Sequence, residues 1–230
     1  FKTALLLDPS DVNVHNSLGV CYGILSDYDN ALKEFQEAVR LDPNEVMALY
    51  NLGLINMLTE DTEKALQYFL EAGEKEDDIF EITLQTGNVY LKMGKPEKAK
   101  KFLEKAVTLN SESGPAFRCL GECYSAMNMT DDAISAYKKA TRQNPNDAES
   151  LSTLGYLFDL LGENPEITTI LCQQSIEIAP ENGLFRHRLG NLYLKRNQLE
   201  DALEQFKKAH DLGHDSGDMM EKIKRLMLDN

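Results

Sequence analysis

The chain has 230 residues, of which 42% are hydrophobic and only 7 are proline, so it holds enough apolar material for a folded core and too few breakers for a disordered chain. It carries 38 acidic residues against 24 basic ones, a formal charge of −14, which repels nucleic-acid phosphates and anionic lipid headgroups. We therefore expect neither a nucleic-acid partner nor a membrane partner.

The cysteines and the ends of the chain bear on its compartment. Cys21, Cys119, Cys123 and Cys172 show none of the paired spacing of disulfide-rich secreted domains. No apolar run approaches the ~20 residues of a membrane-spanning helix, and no signal-peptide pattern opens the sequence. These features favour a reducing, cytoplasmic location. Because the sequence begins at Phe1 inside a helix-like pattern, we expect a fragment of a longer protein, so the lack of targeting signals carries little weight.

Small and large residues recur along the chain with a constant period. Glycine stands at positions 19, 53, 87, 121 and 155, evenly spaced, and Gly190 follows slightly out of step. Alanine recurs in the same register at positions 31, 65, 99, 133 and 202 and again at 38, 72, 106, 140 and 209. Large side chains recur beside them, at positions 22, 90, 124, 158 and 193 and at 35, 69, 103, 137 and 206.

This alternation has a physical meaning. A small residue lets a second helix approach closely, and a large one on a neighbouring turn fills the space beside the contact. Each unit is therefore predicted to be a pair of antiparallel helices.

Turn signals divide each unit into its two helices. The segments Gly94–Pro96 and Gly162–Pro165 separate a first helix from a second, and their prolines suit the first turn of the following helix. Asp-Pro-Asn and Asn-Pro-Asn sequences end the second helix. The final asparagines of these two sequences, Asn44 and Asn146, are predicted to cap the next helix.

The Leu-Gly, Tyr, Ala, Phe, Ala and Pro positions in this spacing resemble the tetratricopeptide repeat (TPR), a helix-turn-helix unit of about 34 residues. The resemblance implies an all-α fold, a right-handed superhelical α-solenoid of antiparallel helix pairs. It covers nearly the whole chain, which we interpret as a single TPR array, 1–230. The parts of this array are the end of a truncated repeat at 1–11, six repeats at 12–45, 46–79, 80–113, 114–147, 148–182 and 183–216, and a C-terminal capping helix at 217–230.

Repeat five departs from the family pattern. It has one extra residue in the turn after Gly162, and Thr168, Cys172 and Ser175 stand where alanine, an aromatic residue and alanine are expected. We expect its second helix to sit slightly askew, as a local irregularity.

In TPR arrays the first helix of each unit lines a concave face, so the resemblance implies a peptide-binding groove along these helices. In the first three repeats the groove combines amides, which can pair with a peptide backbone, and apolar groups, which can take its side chains. In the last three it is charged and mixed in sign. The candidate peptide-binding residues are Asn16, Met47, Tyr50, Asn51, Leu54, Gln85, Asn88, Arg118, Tyr156 and Asn191.

One known mode of TPR binding is not expected. Some TPR domains grip the C-terminal carboxylate of heat-shock chaperones with lysine, arginine and asparagine side chains. Asn51 could serve as the middle asparagine, but Asn16, Val20, Glu81 and Gln85 occupy flanking places and lack the cations that a carboxylate needs.

The sequence offers no catalytic constellation. Cys119 and Cys123 would share a helix face, as a metal corner or redox pair would require, but no histidine pair completes the ligands, and position 123 falls where small residues pack between helices. No serine or cysteine has a companion base, and the glycines follow the period rather than forming a phosphate loop. We expect no enzymatic activity, no metal site and no cofactor.

The leading hypothesis is a non-catalytic protein–protein interaction scaffold that binds a peptide or helical segment of a partner in its concave groove. The alternative is a structural role, either self-association into a homo-oligomer or spacing of attached signalling or enzymatic domains. RNA binding occurs in related helical repeats, but it needs a basic groove that this sequence lacks, so we do not expect it. The acid-rich run Glu71–Glu81 reads as a solvated helix end, with a dock for a basic partner as the alternative.

Overall fold

The computed structural model describes residues 8–162 and 164–228. Throughout these two ranges the regular structure is helical, with no β-strand, and the all-α prediction is confirmed. The helices are α1 (Val12–Ile24), α2 (Tyr28–Leu41), α3 (Val46–Leu58), α4 (Thr62–Lys75), α5 (Phe80–Lys92), α6 (Pro96–Leu109), α7 (Gly114–Ala126), α8 (Thr130–Gln143), α9 (Ala148–Leu161), α10 (Pro165–Ile178), α11 (Gly183–Lys195), α12 (Leu199–Asp211) and α13 (Gly217–Leu228).

Part of the predicted repeat division falls beyond the described ranges. Most of the truncated repeat at 1–11, one residue of the turn in repeat five and the last two residues of the predicted capping helix lie outside the described residues. The repeat boundaries stay a prediction.

The helices fall into two compact units. The N-terminal unit comprises the described residues up to Glu112 together with Glu122–Met127. The C-terminal unit comprises Ser113–Gly121 and the described residues from Asn128 onward. Inside the N-terminal unit, α1 packs on α2, α3 on α4 and α5 on α6, and inside the C-terminal unit α9 packs on α10 and α11 on α12. Consecutive helix pairs are therefore the building block of both units.

The periodic glycines allow the two helices of a pair to touch. A Cβ atom on Gly53 would lie 2.5 Å from the ring of Phe69, and one on Gly190 would lie 3.1 Å from Phe206. No larger residue fits at Gly53 unless the phenylalanine moves, so the predicted small-to-large contact between helices is confirmed. The periodic alanines are completely buried: Ala31, Ala38, Ala65, Ala72, Ala99, Ala106, Ala133, Ala140, Ala202 and Ala209.

The helix starts confirm one prediction and correct another. Proline occupies the first turn of α6 and of α10, as expected. The asparagine caps are wrong by one residue, because Glu45 and Asp147 hold the cap positions of α3 and α9. The backbone N–H of Asn44 instead donates to the Asp42 carboxylate at 2.9 Å. The backbone N–H of Asn146 likewise donates to the side-chain amide oxygen of Asn144 at 3.1 Å. These asparagines belong to the preceding turn, and the helix begins after it.

The turns inside the helix pairs share a left-handed residue in the same register. In the N-terminal unit this position holds Ser26 (φ +59°), Glu60 (φ +64°) and Gly94. In the C-terminal unit it holds Asn128, Gly162 and Asn197. Glycine and asparagine adopt this conformation readily, whereas serine and glutamate carry a steric cost in it.

Repeat five replaces the usual large side chain with a thiol. Thr168, Cys172 and Ser175 are all almost fully buried. A Cβ atom on Gly155 would lie 3.0 Å from the Cys172 sulfur and 3.3 Å from the backbone carbonyl oxygen of Thr168. Because the thiol is small, the backbone of α10 itself lies against this glycine. The expected tilt of α10 stays a prediction.

Candidate functional site

Seven candidate residues lie in the N-terminal unit, on the first helices α1, α3 and α5. We call this set the amide face: Asn16, Met47, Tyr50, Asn51, Leu54, Gln85 and Asn88. Its amides pair with one another. Asn51 on α3 donates through Nδ2 to Oδ1 of Asn16 on α1 at 3.0 Å, and Asn88 donates to Gln85 at 3.4 Å within α5. A partner backbone would have to compete with these pairs or extend them.

Packing accounts for part of the apolar side of the amide face. Tyr50 and Leu54 are half-buried against the core cluster of Ala65, Phe69 and Val89. The Tyr50 ring lies 5.7 Å from the ring of Phe69, centre to centre. Burial, with a smaller contribution from Glu81, raises the pKa of the Tyr50 hydroxyl above its usual value.

Met47 differs from its neighbours on the amide face because it is 50% exposed. A flexible, polarisable thioether in water is a group that gains by contact with a partner. Among the apolar members of this face, Met47 is the one that packing explains least.

The remaining candidates lie in the C-terminal unit. Arg118 on α7 forms ion pairs with Glu149 at 3.1 Å and with Asp147 at 3.6 Å. Its charge is therefore compensated inside the unit. Tyr156 on α9 and Asn191 on α11 line one cavity of about 880 Å³. The structure thus brings Tyr156 and Asn191 together and engages Arg118 elsewhere.

We call this cavity the C-terminal pocket. It lies among α9, α11 and α13, and we define it by Tyr156, Arg188, Asn191, Lys195, Lys222 and Leu226. Lys222 and Leu226 come from α13, which the sequence pattern marked only as a cap. They are four residues apart on one helix, so they share a face, and this spacing was the signal available in the sequence.

Arg188 forms the polar floor of the C-terminal pocket. Its Nη1 group donates to the hydroxyl oxygens of Ser152 at 2.8 Å and Thr153 at 3.2 Å. The guanidinium carbon lies 5.3 Å from the centre of the Tyr156 ring, which favours the cation through the ring face. Burial lowers the pKa of Arg188, yet a guanidinium remains charged at neutral pH. Among the described residues no carboxylate lies within ion-pair distance of it, and Glu149 contributes only a small electrostatic attraction from farther away.

Two histidines have opposite surroundings. In the N-terminal unit, His15 lies 2.7 Å from a Glu34 oxygen and 3.0 Å from the Pro9 carbonyl oxygen. Burial alone would lower the pKa of His15, but these two acceptors raise it. In the C-terminal unit, His187 borders the pocket, and burial together with the nearby His214 lowers its pKa. Relative to an ordinary histidine, the surroundings of His15 favour the protonated form and those of His187 favour the neutral form.

Two of the thiols, those of Cys123 and Cys172, are unsuited to nucleophilic chemistry. Burial raises the pKa of Cys123 to about 11 and that of Cys172 to about 12, so both are protonated at neutral pH. The Cys123 sulfur lies 3.2 Å from the backbone oxygen of Pro96, inside the N-terminal unit. Across the described residues there is no group of three or more His, Cys, Asp or Glu side chains that could hold a metal ion.

The acid-rich run is partly neutralised. Lys105 on α6 forms ion pairs with Asp77 and, at 2.8 Å, with Asp78. A basic partner would have to displace this lysine.

No described helix combines the length and the apolar character needed to cross a membrane.

Family models described as tetratricopeptide repeat match residues 25–79, 90–154 and 171–204. No curated protein matches the sequence.

Solved structures share the fold. YrrB, described as a TPR protein with an unusual peptide-binding site, is 23% identical, with a TM-score of 0.69 over 81% of this chain and 96% of that chain. PilF of Pseudomonas aeruginosa is 16% identical, with a TM-score of 0.80 over 97% and 99% of the two chains. A TPR protein from Parabacteroides merdae is 16% identical, with a TM-score of 0.69 over 99% and 89%. At these identities the likeness shows the fold alone.

Proposed function

Because the chain belongs to the tetratricopeptide-repeat family, we propose that it is a protein-binding scaffold that holds a peptide or helical segment of a partner along the first helices of its repeats. The fold is one that serves protein–protein interaction. YrrB, which shares this fold, is described as having an unusual peptide-binding site.

The observation that carries the proposal is the exposure of large apolar groups beside amides on the first helices. Met47 is 50% exposed on α3 and Tyr156 is 46% exposed on α9. Met47 shares α3 with Asn51. Tyr156 on α9 lines the same cavity as Asn191 on α11. An exposed apolar group next to hydrogen-bonding amides provides side-chain and backbone contacts for a bound segment.

The proposal has three further parts. The described helices belong to one array of six repeats between residues 12 and 216, closed by α13. The first helices line its concave groove. The array itself acts by binding rather than by catalysis, in the cytoplasm.

The test compares two tyrosines of the same helix pair. A partner is first recovered by affinity capture on the intact chain, and its affinity is then measured by isothermal titration calorimetry. Tyr50→Ala and Asn51→Ala, on the amide face, are each expected to weaken binding by about tenfold, the size of a moderate interface contact. Tyr68→Ala, on the second helix α4, is expected to leave the affinity unchanged.

Circular dichroism establishes that each variant is folded, since Tyr50 and Tyr68 both pack against core clusters. Equal losses for Tyr50→Ala and Tyr68→Ala would trace to stability and count against the amide face. Unchanged affinity in both amide-face variants would remove it as the binding surface.

A further inference from the structure

We propose that the C-terminal pocket binds an internal partner segment in which acidic side chains stand next to a large apolar side chain, with α13 forming one wall of the site. This inference rests on the proposed function and names the chemistry of the partner. It also assigns α13 a role in binding, beyond covering the end of the array.

The charge of Arg188 is the first argument. Its guanidinium is half-buried and held by two hydroxyl oxygens and an aromatic face, without a carboxylate partner among the described residues. A buried cation pays a large desolvation cost unless an anion compensates it. Arginine also matches a carboxylate with two parallel hydrogen bonds. A partner carboxylate would supply the missing compensation.

The second argument is a cation on a different helix, Lys222 on α13. Lys195 on α11 is paired with Asp159 at 2.5 Å, so its charge is already used. Lys222 on α13 is exposed and forms no ion pair with any described residue. Three cations and one carboxylate line the pocket, whereas the whole chain carries a formal charge of −14. The pocket is thus a local cationic site in an acidic protein, and it attracts acidic segments.

Apolar groups surround these cations. Tyr156, Leu184 and Leu226 are 46%, 38% and 38% exposed and line the same cavity. They offer contact area for one large apolar side chain. Asn191 adds an amide that has no hydrogen-bond partner among the described residues, and an amide of this kind can donate to and accept from a peptide backbone.

The distribution of the cations favours an internal segment over a chain terminus. Arg188 and Lys222 belong to two helices, and both lack a carboxylate partner among the described residues. One terminal carboxylate would compensate one of them. Two acidic side chains along a segment would compensate both, while Asn191 pairs with the backbone that continues between them.

The test is a selection of random dodecapeptides displayed with both ends joined to the carrier, using the intact 230-residue chain as bait. A parallel library displays the same peptides with a free C-terminus. We expect the first library to yield sequences with Asp or Glu within two positions of Leu, Ile, Met or Phe. Enrichment of basic sequences, enrichment in the free-terminus library alone, or no enrichment over bait-free beads would overturn the proposal.

Variants then place the selected peptide in the pocket. Its affinity, measured by fluorescence anisotropy, is expected to fall about 30-fold or more in Arg188→Gln, because a half-buried charge pair loses one partner. Replacing the glutamates of the peptide with glutamine should have a similar effect on the wild-type chain. An unchanged affinity in Arg188→Gln would overturn the assignment.

Two matched variants on α13 test the pocket independently of whether Arg188→Gln folds. Lys222→Glu is expected to weaken binding by about fivefold, and Lys224→Glu, which makes the same change of net charge on an exposed residue outside the pocket, by less than twofold. Equal effects of the two would show that overall charge, not the pocket, governs binding. The whole proposed function fails only if the intact chain also captures no partner protein, so the two failures remain distinct.

Discussion

The amide face and the C-terminal pocket, the two proposed binding surfaces, differ in which of their polar groups lack a partner. On the amide face, Asn51 pairs with Asn16 and Asn88 pairs with Gln85. In the C-terminal pocket, Arg188 has no carboxylate within ion-pair distance, and the side-chain amide of Asn191 has no hydrogen-bond partner among the described residues. The first surface is polar but self-paired, and the second is cationic and incomplete.

This difference teaches where specificity can come from. A ligand on the amide face exchanges amide hydrogen bonds for others, which changes the free energy little and tolerates many sequences. A ligand carboxylate in the C-terminal pocket compensates a half-buried charge, which discriminates strongly against ligands that lack it. We therefore expect broad backbone contact in the N-terminal unit and selection by sequence in the C-terminal unit.

The two units also differ in the side chain that packs against the periodic glycine. Shortening that side chain gives the largest expected change in the free energy of unfolding. Phe69 in the N-terminal unit lies against Gly53, whereas Cys172 in the C-terminal unit holds the corresponding place against Gly155. Phe69→Ala is expected to lower the free energy of unfolding by about 3–5 kcal/mol. Cys172→Ala removes one buried heavy atom and is expected to cost roughly 1 kcal/mol.

Urea unfolding followed by far-ultraviolet circular dichroism measures both variants. A loss for Cys172→Ala as large as that for Phe69→Ala would show that the thiol has a role beyond filling space.

The fold was largely predictable because a constant spacing of small residues leaves few alternatives. Glycine at positions such as 53 and alanine at positions such as 65 and 72 can recur in this register only if two helices touch there, and the structure has them fully or nearly buried. The helix caps were missed by one residue, because the side chain of Asp42 folds the turn around Asn44 before the helix begins. That choice depends on one local hydrogen bond.

The candidate site was less predictable, because its contacts join residues that are far apart in sequence. The pairing of Asn51 with Asn16 depends on the distance between α1 and α3, and a spacing pattern carries no such distance. The proposed role of α13 depends on Leu226 lining the same cavity as Tyr156. The sequence was sufficient to identify the first-helix residues, but not the α13 residues that line the same cavity.

The turns inside the helix pairs also differ between the units, with a smaller expected effect on the free energy of unfolding. Glu60 adopts a left-handed conformation that costs glutamate energy, while Asn128 holds the same position in the C-terminal unit and adopts it readily. Glu60→Gly is expected to raise the free energy of unfolding by about 0.5–1 kcal/mol, and Asn128→Gly to change it by a few tenths at most. Thermal melts of the two variants would contradict this if the gain appeared only at Asn128.

The two histidines give the smallest effect, with opposite signs. The folded-state pKa of His15 is raised, so its stabilising contribution is present below the unfolded pKa and is lost as pH rises through the folded pKa. The folded-state pKa of His187 is lowered, so its contribution is present above the unfolded pKa and is lost as pH falls through the folded pKa.

Urea unfolding between about pH 5 and pH 8 compares wild type with His15→Gln and His187→Gln. The advantage of wild type over His15→Gln should shrink as pH rises, and its advantage over His187→Gln should shrink as pH falls. Parallel curves for the two variants would show that the surroundings of these histidines do not set their protonation in solution.

The central claim, that the first helices form the binding surface, is tested most directly by site-specific photo-cross-linking. A photoreactive phenylalanine is placed at position 47, at position 156 and, as a control, at position 170 on the second helix α10, where Ile170 is 52% exposed. We predict that the captured partner is cross-linked at positions 47 and 156 and not at 170. Cross-linking at 170, with none at 47 or 156, would contradict it.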